Sequence, residues 1–120
     1  MIKIDINKSA SYDNLPVLKK IFRGVKFRSV AVVMNYNCYN GLPREEDVEK
    51  WPFKATLIDD EGETYEVRIL SLTAGYGGTG PHDFASILEF FGVPYWGEDI
   101  FTKAKMKPNG EIHLEFSREA

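Results

Sequence analysis

The chain has 120 residues, of which 43% are hydrophobic and 28% are charged, a balance typical of a globular protein with one core. Its net charge of −3 argues against general nucleic-acid binding, which needs a dominant basic surface. No apolar stretch approaches the ~20 residues that span a bilayer, and the single cysteine, Cys38, excludes an internal disulfide. We therefore expect a single globular domain over residues 1–120, located in the cytoplasm and not associated with a membrane.

The charges are unevenly distributed along the chain. Residues 1–28 carry seven Lys or Arg against two Asp, whereas residues 44–66 carry three basic residues against nine acidic ones. A local basic region leaves room for an anion site, although such a run is more often a solvated surface. The acidic segment could instead cover a basic surface of another protein.

The first part of the chain predicts a strand, a helix and a second strand. Residues 2–6 alternate apolar and charged side chains, as in a half-buried strand. Asp13 or Asn14 can cap a helix that ends near Gly24. Residues 30–34 are apolar at every position, which is typical of a central strand covered on both faces.

A short helix and two hairpins are predicted next. Residues 43–50 indicate the short helix, whose three consecutive acidic residues point in different directions and so do not form a metal site. Matching the apolar faces of the next two strands pairs Asp59 with Glu63 and leaves a three-residue loop that ends at Gly62. Near the C-terminus the same rule places Met106 opposite Ile112.

Residues 81–91 predict the last helix, because their apolar positions lie on one face and Gly92 follows. The predicted order is β-α-β-(short α)-β-β-α-β-β. Hairpins outnumber crossovers in this order. We therefore predict an α+β fold: a single domain with a mixed or mostly antiparallel sheet of about six strands, two main helices and one short helix.

The stretch from residue 71 to residue 84, here called the glycine stretch, holds four glycines within six residues. Residues 75–80 match G-x-G-x-x-G, the pattern of dinucleotide-binding folds. In that fingerprint the third glycine lies inside the helix, whereas here Pro81 favours a helix that begins after it. The preceding strand is also predicted to be the second half of a hairpin. We therefore reject the dinucleotide fold.

A glycine-rich loop before a helix still favours an anionic ligand, because it exposes backbone N–H groups next to the positive end of the helix. His82 could donate to an anion, and nearby rings could stack on a base. Asp83 counts against an anion, and the glycines could simply permit a tight connection. The predicted ligand-binding residues are Gly75, Tyr76, Gly77, Gly78, Thr79, Gly80, His82, Tyr95 and Trp96.

We accordingly predict a non-enzymatic protein that binds or sequesters a phosphate-bearing, nucleotide-like small molecule, without a cofactor, a catalytic residue or a metal ligand. The sequence contains no H-E-x-x-H, C-x-x-C or G-x-S-x-G motif, and Cys38 and His82 could act together only if folding brought them together.

The alternative is a protein-interaction module, such as an inhibitor or immunity-type protein. It would block a partner protein with exposed aromatic residues and the acidic segment. Both interpretations are compatible with a homo-oligomer, for which strand 111–118 is a candidate sheet edge.

Overall fold

The alternating apolar residues of the sequence form the strands of one mixed sheet. The computed structural model describes residues 1–7, 13–35, 45–72, 79–93, 105–106 and 111–118, with the backbone alone at residues 35, 79–82, 105–106 and 111–112. The elements in chain order are β1 (Ile2–Ile6), α1 (Asn14–Ile21), β2 (Phe27–Asn35), a 3-10 turn (Val48–Lys50), β3 (Phe53–Asp59), β4 (Thr64–Ile69), α2 (Thr79–Phe90), β5 (Lys105–Met106) and β6 (Glu111–Ser117).

The strands lie in the order β1-β4-β3-β2-β6-β5. β1 pairs with β4 in parallel, and the other four described pairs are antiparallel. The α+β class, the mixed sheet and the order of elements are therefore confirmed. Five strands are five or more residues long and β5 has only two, so the expectation of six strands is slightly too high. β6 lies between β2 and β5 and is not the outermost strand, contrary to the expectation for residues 111–118.

Both predicted hairpin registers are confirmed. The Asp59 N–H donates to the Glu63 carbonyl at 3.0 Å, and Gly62 has φ +88°. In the second hairpin Met106 lies opposite Ile112, although its loop lies outside the described residues. Slipping either pair by one residue would turn apolar side chains to the polar face, which is why the alternation determined the register.

The two helices cover one face of the sheet. The Phe84 ring of α2 packs edge-on against Phe53 of β3, with centroids 6.1 Å apart. Phe22, directly after α1, packs edge-on against Tyr65 of β4 at 5.2 Å. Burying each such side chain contributes about 1.5–3 kcal/mol. The buried core comprises Ile6, Leu18, Phe22, Phe27, Val30, Val32, Met34, Phe53, Ala55, Leu57, Val67, Ile69, Leu72, Phe84, Ile87, Leu88, Phe91, Val93 and Leu114.

The opposite face carries charged residues, and the coverage of residues 30–34 on that side is only partial. β2 is central, between β3 and β6, but Ala31 and Val33 are only half-buried. Lys54 and Glu66 extend this polar face across β3 and β4 and form a salt bridge of 3.1 Å. An apolar run can therefore arise at a central position even where one face carries charges on the neighbouring strands.

The helix starts differ from the prediction. Asp13 precedes α1 without a side-chain capping hydrogen bond. α2 begins at Thr79 rather than at residue 81, so Gly80 and Pro81 both lie in its first turn. Proline is accepted there because the first N–H groups of a helix have no partner within it. The predicted short helix is a 3-10 turn limited to Val48–Lys50, and residues 43–44 lie outside the described residues.

The earlier start of α2 removes one argument against the dinucleotide fingerprint, since Gly80 now lies inside the helix. The other argument is confirmed, because β4 is the second strand of the β3–β4 hairpin. Neither described helix is long and apolar enough to cross a membrane.

Candidate functional site

Most of the predicted ligand-binding residues lie outside the part of the chain that the structure describes. These are Gly75, Tyr76, Gly77, Gly78, Tyr95 and Trp96, and Cys38 also lies outside. Thr79, Gly80 and His82 lie in the first turn of α2. The structure thus gives the two ends of the glycine stretch, at Ser71 and at α2, and its ligand-binding role stays a prediction.

Three strands end at the edge of the sheet from which the glycine stretch leaves. β1 and β4 run in parallel, with Ile6 opposite Ile69 near their ends. β2 is antiparallel to β3, which is antiparallel to β4, so β2 also runs in this direction and ends here at Asn35. We call this the strand-end edge. In open α/β sheets, ligands bind beyond the carboxyl ends of parallel strands.

Helix α1 begins at the strand-end edge and runs away from it. At its start, the Asn14 Nδ2 donates to the Ser71 Oγ at 3.2 Å, just beyond the end of β4. At its far end, Phe22 packs on Tyr65, near the beginning of β4. The positive end of the α1 dipole therefore points toward the strand-end edge.

Helix α2 has the same direction. Phe84, in its first half, packs on Phe53, which lies opposite Ile69 at the end of β4. Phe91, directly after the helix, packs on Phe27 at the beginning of β2, with ring centroids 5.6 Å apart. Both helix N-termini therefore lie at the strand-end edge, and their dipoles reinforce each other there.

The Asn14–Ser71 hydrogen bond connects the two strand-to-helix segments of this edge. Asn14, the first residue of α1, is fully buried. Ser71 is the first residue of the glycine stretch and is half-buried. The bond fixes where the stretch leaves the sheet relative to the start of α1. No local pattern signals this contact, because its partners are 57 residues apart.

Two carboxylates lie near the helix starts. Asp13 precedes α1, and Asp83 lies just beyond the first turn of α2; both are half-buried. Their negative charge offsets part of the positive potential that the two dipoles create. An anion at this edge therefore needs contacts beyond the dipoles, such as the backbone N–H groups of the glycine stretch.

A cavity of about 360 Å³ lies at the opposite edge of the sheet, beside the β3–β4 hairpin. Asp59 is one of three acidic residues that line it and is only 8% exposed. The Asp59 Oδ1 accepts the N–H groups of Glu61 and Glu63, and its Oδ2 accepts the Tyr65 hydroxyl, each at 2.9 Å. These bonds engage both carboxylate oxygens within the hairpin, so we assign Asp59 a structural role.

A second cavity, of about 420 Å³, lies between the 3-10 turn and the polar face of the sheet. Arg68 lines it and is 9% exposed. Its Nε and Nη2 donate to the two Asp5 oxygens at 2.7 and 3.1 Å, and its Nη1 donates to Glu49 at 3.2 Å. The hydrogen bonds that Arg68 donates to Asp5 are the main cause that raises the pKa of Arg68, and burial opposes them.

Sequence reasoning did not single out Arg68. The available signal was a cation within the otherwise apolar end of the strand at residues 67–70. A buried guanidinium requires carboxylate partners, and here β1 and the 3-10 turn provide them.

Comparisons with known proteins give no functional information. The chain matches no protein-family model, no curated protein and no solved structure. Within the described ranges, no three His, Cys, Asp or Glu side chains come together in a way that could hold a metal ion.

Proposed function

We propose that the protein is a non-enzymatic binder of a phosphate-bearing, nucleotide-like small molecule, held at the strand-end edge by the glycine stretch and the first turn of α2. The observation that carries the proposal is the meeting of both helix N-termini at the edge where β4 passes into the glycine stretch. The Asn14–Ser71 hydrogen bond holds the start of α1 against the first residue of that stretch.

Helix N-termini favour phosphate because their first N–H groups have no partner within the helix and each end has about +0.5 elementary charge. Glycines allow a ligand to approach the backbone closely, which larger residues would prevent. Tyr76, Tyr95 and Trp96 are the rings on which a base would stack. None of these groups activates a nucleophile, so the proposal is for binding without a reaction.

Isothermal calorimetry and thermal unfolding in the presence of candidate ligands test the proposal. The ligands are inorganic phosphate, nucleoside mono- and diphosphates, cyclic nucleotides and ADP-ribose. We expect a nucleotide to raise the unfolding temperature and inorganic phosphate to bind more weakly, because phosphate lacks the base. Replacing Gly77 and Gly78 together with valine should abolish binding while the fold is kept.

Glu61→Gln is the matched control, because it alters an exposed residue at the opposite edge. It should bind as the unaltered chain does. The proposal is wrong if no ligand shifts the unfolding of a folded sample, or if the glycine variant binds as well as the control.

The second candidate is the protein-interaction module, and the layout of the acidic segment favours one part of it. Glu49, Asp60 and Glu66 form salt bridges to Arg68, Arg118 and Lys54, respectively. Glu61 and Glu63 lie exposed at the hairpin tip, and no salt bridge among the described residues involves them. A basic protein partner would be recognised there, and replacing both glutamates with lysine should abolish its capture. Capture that survives this change would contradict the second candidate.

A further inference from the structure

β1 forms one end of the sheet. Only its β4 side is paired, since no strand among the described residues lies beyond it. An open strand edge presents N–H and C=O groups that can pair with another chain. β1, with five residues, is the longer of the two terminal strands of the described sheet, since β5 at the other end has only two. It therefore offers more backbone groups for extension into a second molecule.

The register identifies the backbone groups that face outward. The Ile6 carbonyl accepts the Leu70 N–H at 3.2 Å, so Ile6 points its backbone groups toward β4. In a parallel pair, successive residues of a strand alternate between the two sides. Ile4 therefore also faces β4, whereas the backbone groups of Lys3 and Asp5 face outward.

This pattern is complementary to itself. If two copies of β1 pair antiparallel with the two-fold axis at Ile4, Lys3 lies opposite Asp5 of the partner subunit. That pair would exchange both backbone hydrogen bonds, because both residues face outward. Opposite charges on directly opposed residues stabilise the pairing of strands.

The neighbouring registers lack this match. Centring the axis on Lys3 would oppose two lysines, and centring it on Asp5 would oppose two aspartates, both of which are unfavourable. A shift by one residue would place Lys3 opposite Ile4 of the partner subunit and put the two helical layers on opposite faces. The register at Ile4 alone combines opposite charges with a continuous core face.

Exposed apolar side chains occur at the same side of the molecule. Met1, Ile2 and Ile21 are the exposed large hydrophobic residues of the described chain, at 70%, 46% and 44%. Ile2 lies opposite Tyr65, on which Phe22 packs, so Ile21 is at the same end of β1. A partner strand that places its Ile6 opposite Ile2 would reduce this exposure.

Arg68 holds the Asp5 carboxylate in position for a contact with Lys3 of the partner subunit. It holds both carboxylate oxygens in a two-point hydrogen bond, yet the Asp5 side chain stays 39% exposed. Each carboxylate oxygen has a further acceptor position. A lysine of a second copy can therefore add to the pair without displacing Arg68.

We propose that the protein forms a two-fold symmetric homodimer in which two β1 strands pair antiparallel about Ile4, with Lys3 of each copy against Asp5 of the partner subunit. The interface is isologous and closes on itself, so it produces a dimer rather than a filament. The sheet would run continuously through both copies, with all helices on one face.

Sedimentation equilibrium of the purified 120-residue chain over a wide concentration range tests the proposal. We expect a species of twice the 13.7 kDa chain mass. Lys3→Glu places a glutamate opposite Asp5 in both symmetry-related pairs of the dimer. This repulsion should raise the dissociation constant about tenfold or more. Lys3→Pro removes an outward N–H without affecting the pairing with β4 and should give a monomer. Lys26→Glu makes the same change of charge outside β1 and should remain a dimer.

Hydrogen exchange gives a second measurement that does not depend on a variant. The Lys3 and Asp5 amides should exchange slowly at high protein concentration and quickly at low concentration, because only the dimer protects them. A monomer at every concentration would overturn the proposal, as would an unchanged dimer in Lys3→Glu. Equal dissociation of the Lys26→Glu protein would also overturn it, since net charge rather than β1 would then govern assembly.

Discussion

Asp59 organises the tip of the β3–β4 hairpin. It is buried, and its two oxygens accept two main-chain N–H groups and the Tyr65 hydroxyl. Burial raises the pKa of Asp59, but the hydrogen bonds from Glu63, Tyr65 and Glu61 outweigh burial and hold the pKa below its usual 3.8. The hydrogen bond to Asp59 raises the pKa of Tyr65 above its usual 10.0.

These two pKa shifts predict the pH range over which the hairpin is most stable. Below pH 3.8 the unfolded chain takes up a proton before folded Asp59 does, so stability falls as the pH drops through the lower folded pKa. Above pH 10.0 the unfolded chain loses the tyrosine proton first, so stability falls as the pH rises through the higher folded pKa.

Asp59→Asn should therefore lower the unfolding temperature at neutral pH and weaken its dependence on pH at both extremes. Thermal unfolding followed by circular dichroism across this pH range measures the effect. Glu61→Gln is the control, because it keeps the N–H that donates to Asp59. Identical pH profiles for Asp59→Asn and the unaltered chain would contradict the prediction.

At the scale of the elements, the hairpins were the most predictable part of the fold. Their registers follow from two-residue alternation and from a glycine at the end of each loop, which are local signals. The start of α2 was predicted two residues late, because Pro81 is accepted at more than one position of a first turn. The glycine stretch was recognisable as a candidate site, but its ligand depends on side chains that sequence spacing does not position.

Gly62 tests whether the loop between β3 and β4 depends on a glycine. It has φ +88°, and a β-carbon there would lie 3.8 Å from the Arg28 Nη2, an ordinary contact. Gly62→Ala should therefore destabilise the fold through backbone strain alone, by about 1–2 kcal/mol. Gly62→Asn should cost less, since asparagine tolerates the left-handed region. Urea unfolding measures both, and an alanine variant as stable as the unaltered chain would contradict the prediction.

At the scale of the whole molecule, contacts between distant segments were not predictable. The parallel pairing of β1 with β4 has no turn signal, because the paired residues Asp5 and Arg68 are 63 positions apart. The Asn14–Ser71 bond spans 57 positions, and so the meeting of the helix starts became visible only in the structure. Such contacts depend on strand order, which local patterns do not determine.

Arg68 allows the energetic weight of these distant contacts to be compared. Arg68→Ala removes a two-point bond to Asp5 from a 10% exposed side chain and should cost about 1.5–3 kcal/mol. Glu49→Ala removes a bond from an 81% exposed side chain and should change stability by less than about 0.5 kcal/mol. Urea unfolding of both variants at one protein concentration is the measurement. A Glu49→Ala cost equal to that of Arg68→Ala would contradict this ranking.

The place of β1 beside β4 also determines an order of assembly. β1 leaves the ribosome about 60 residues before β4, its only neighbour among the described strands. β3 and β4 close through a short loop, so they form early, whereas docking β1 requires a long loop to close. During synthesis, one edge of β4 therefore stays unpaired until β1 docks, and a nascent chain is most vulnerable to mispairing in that interval.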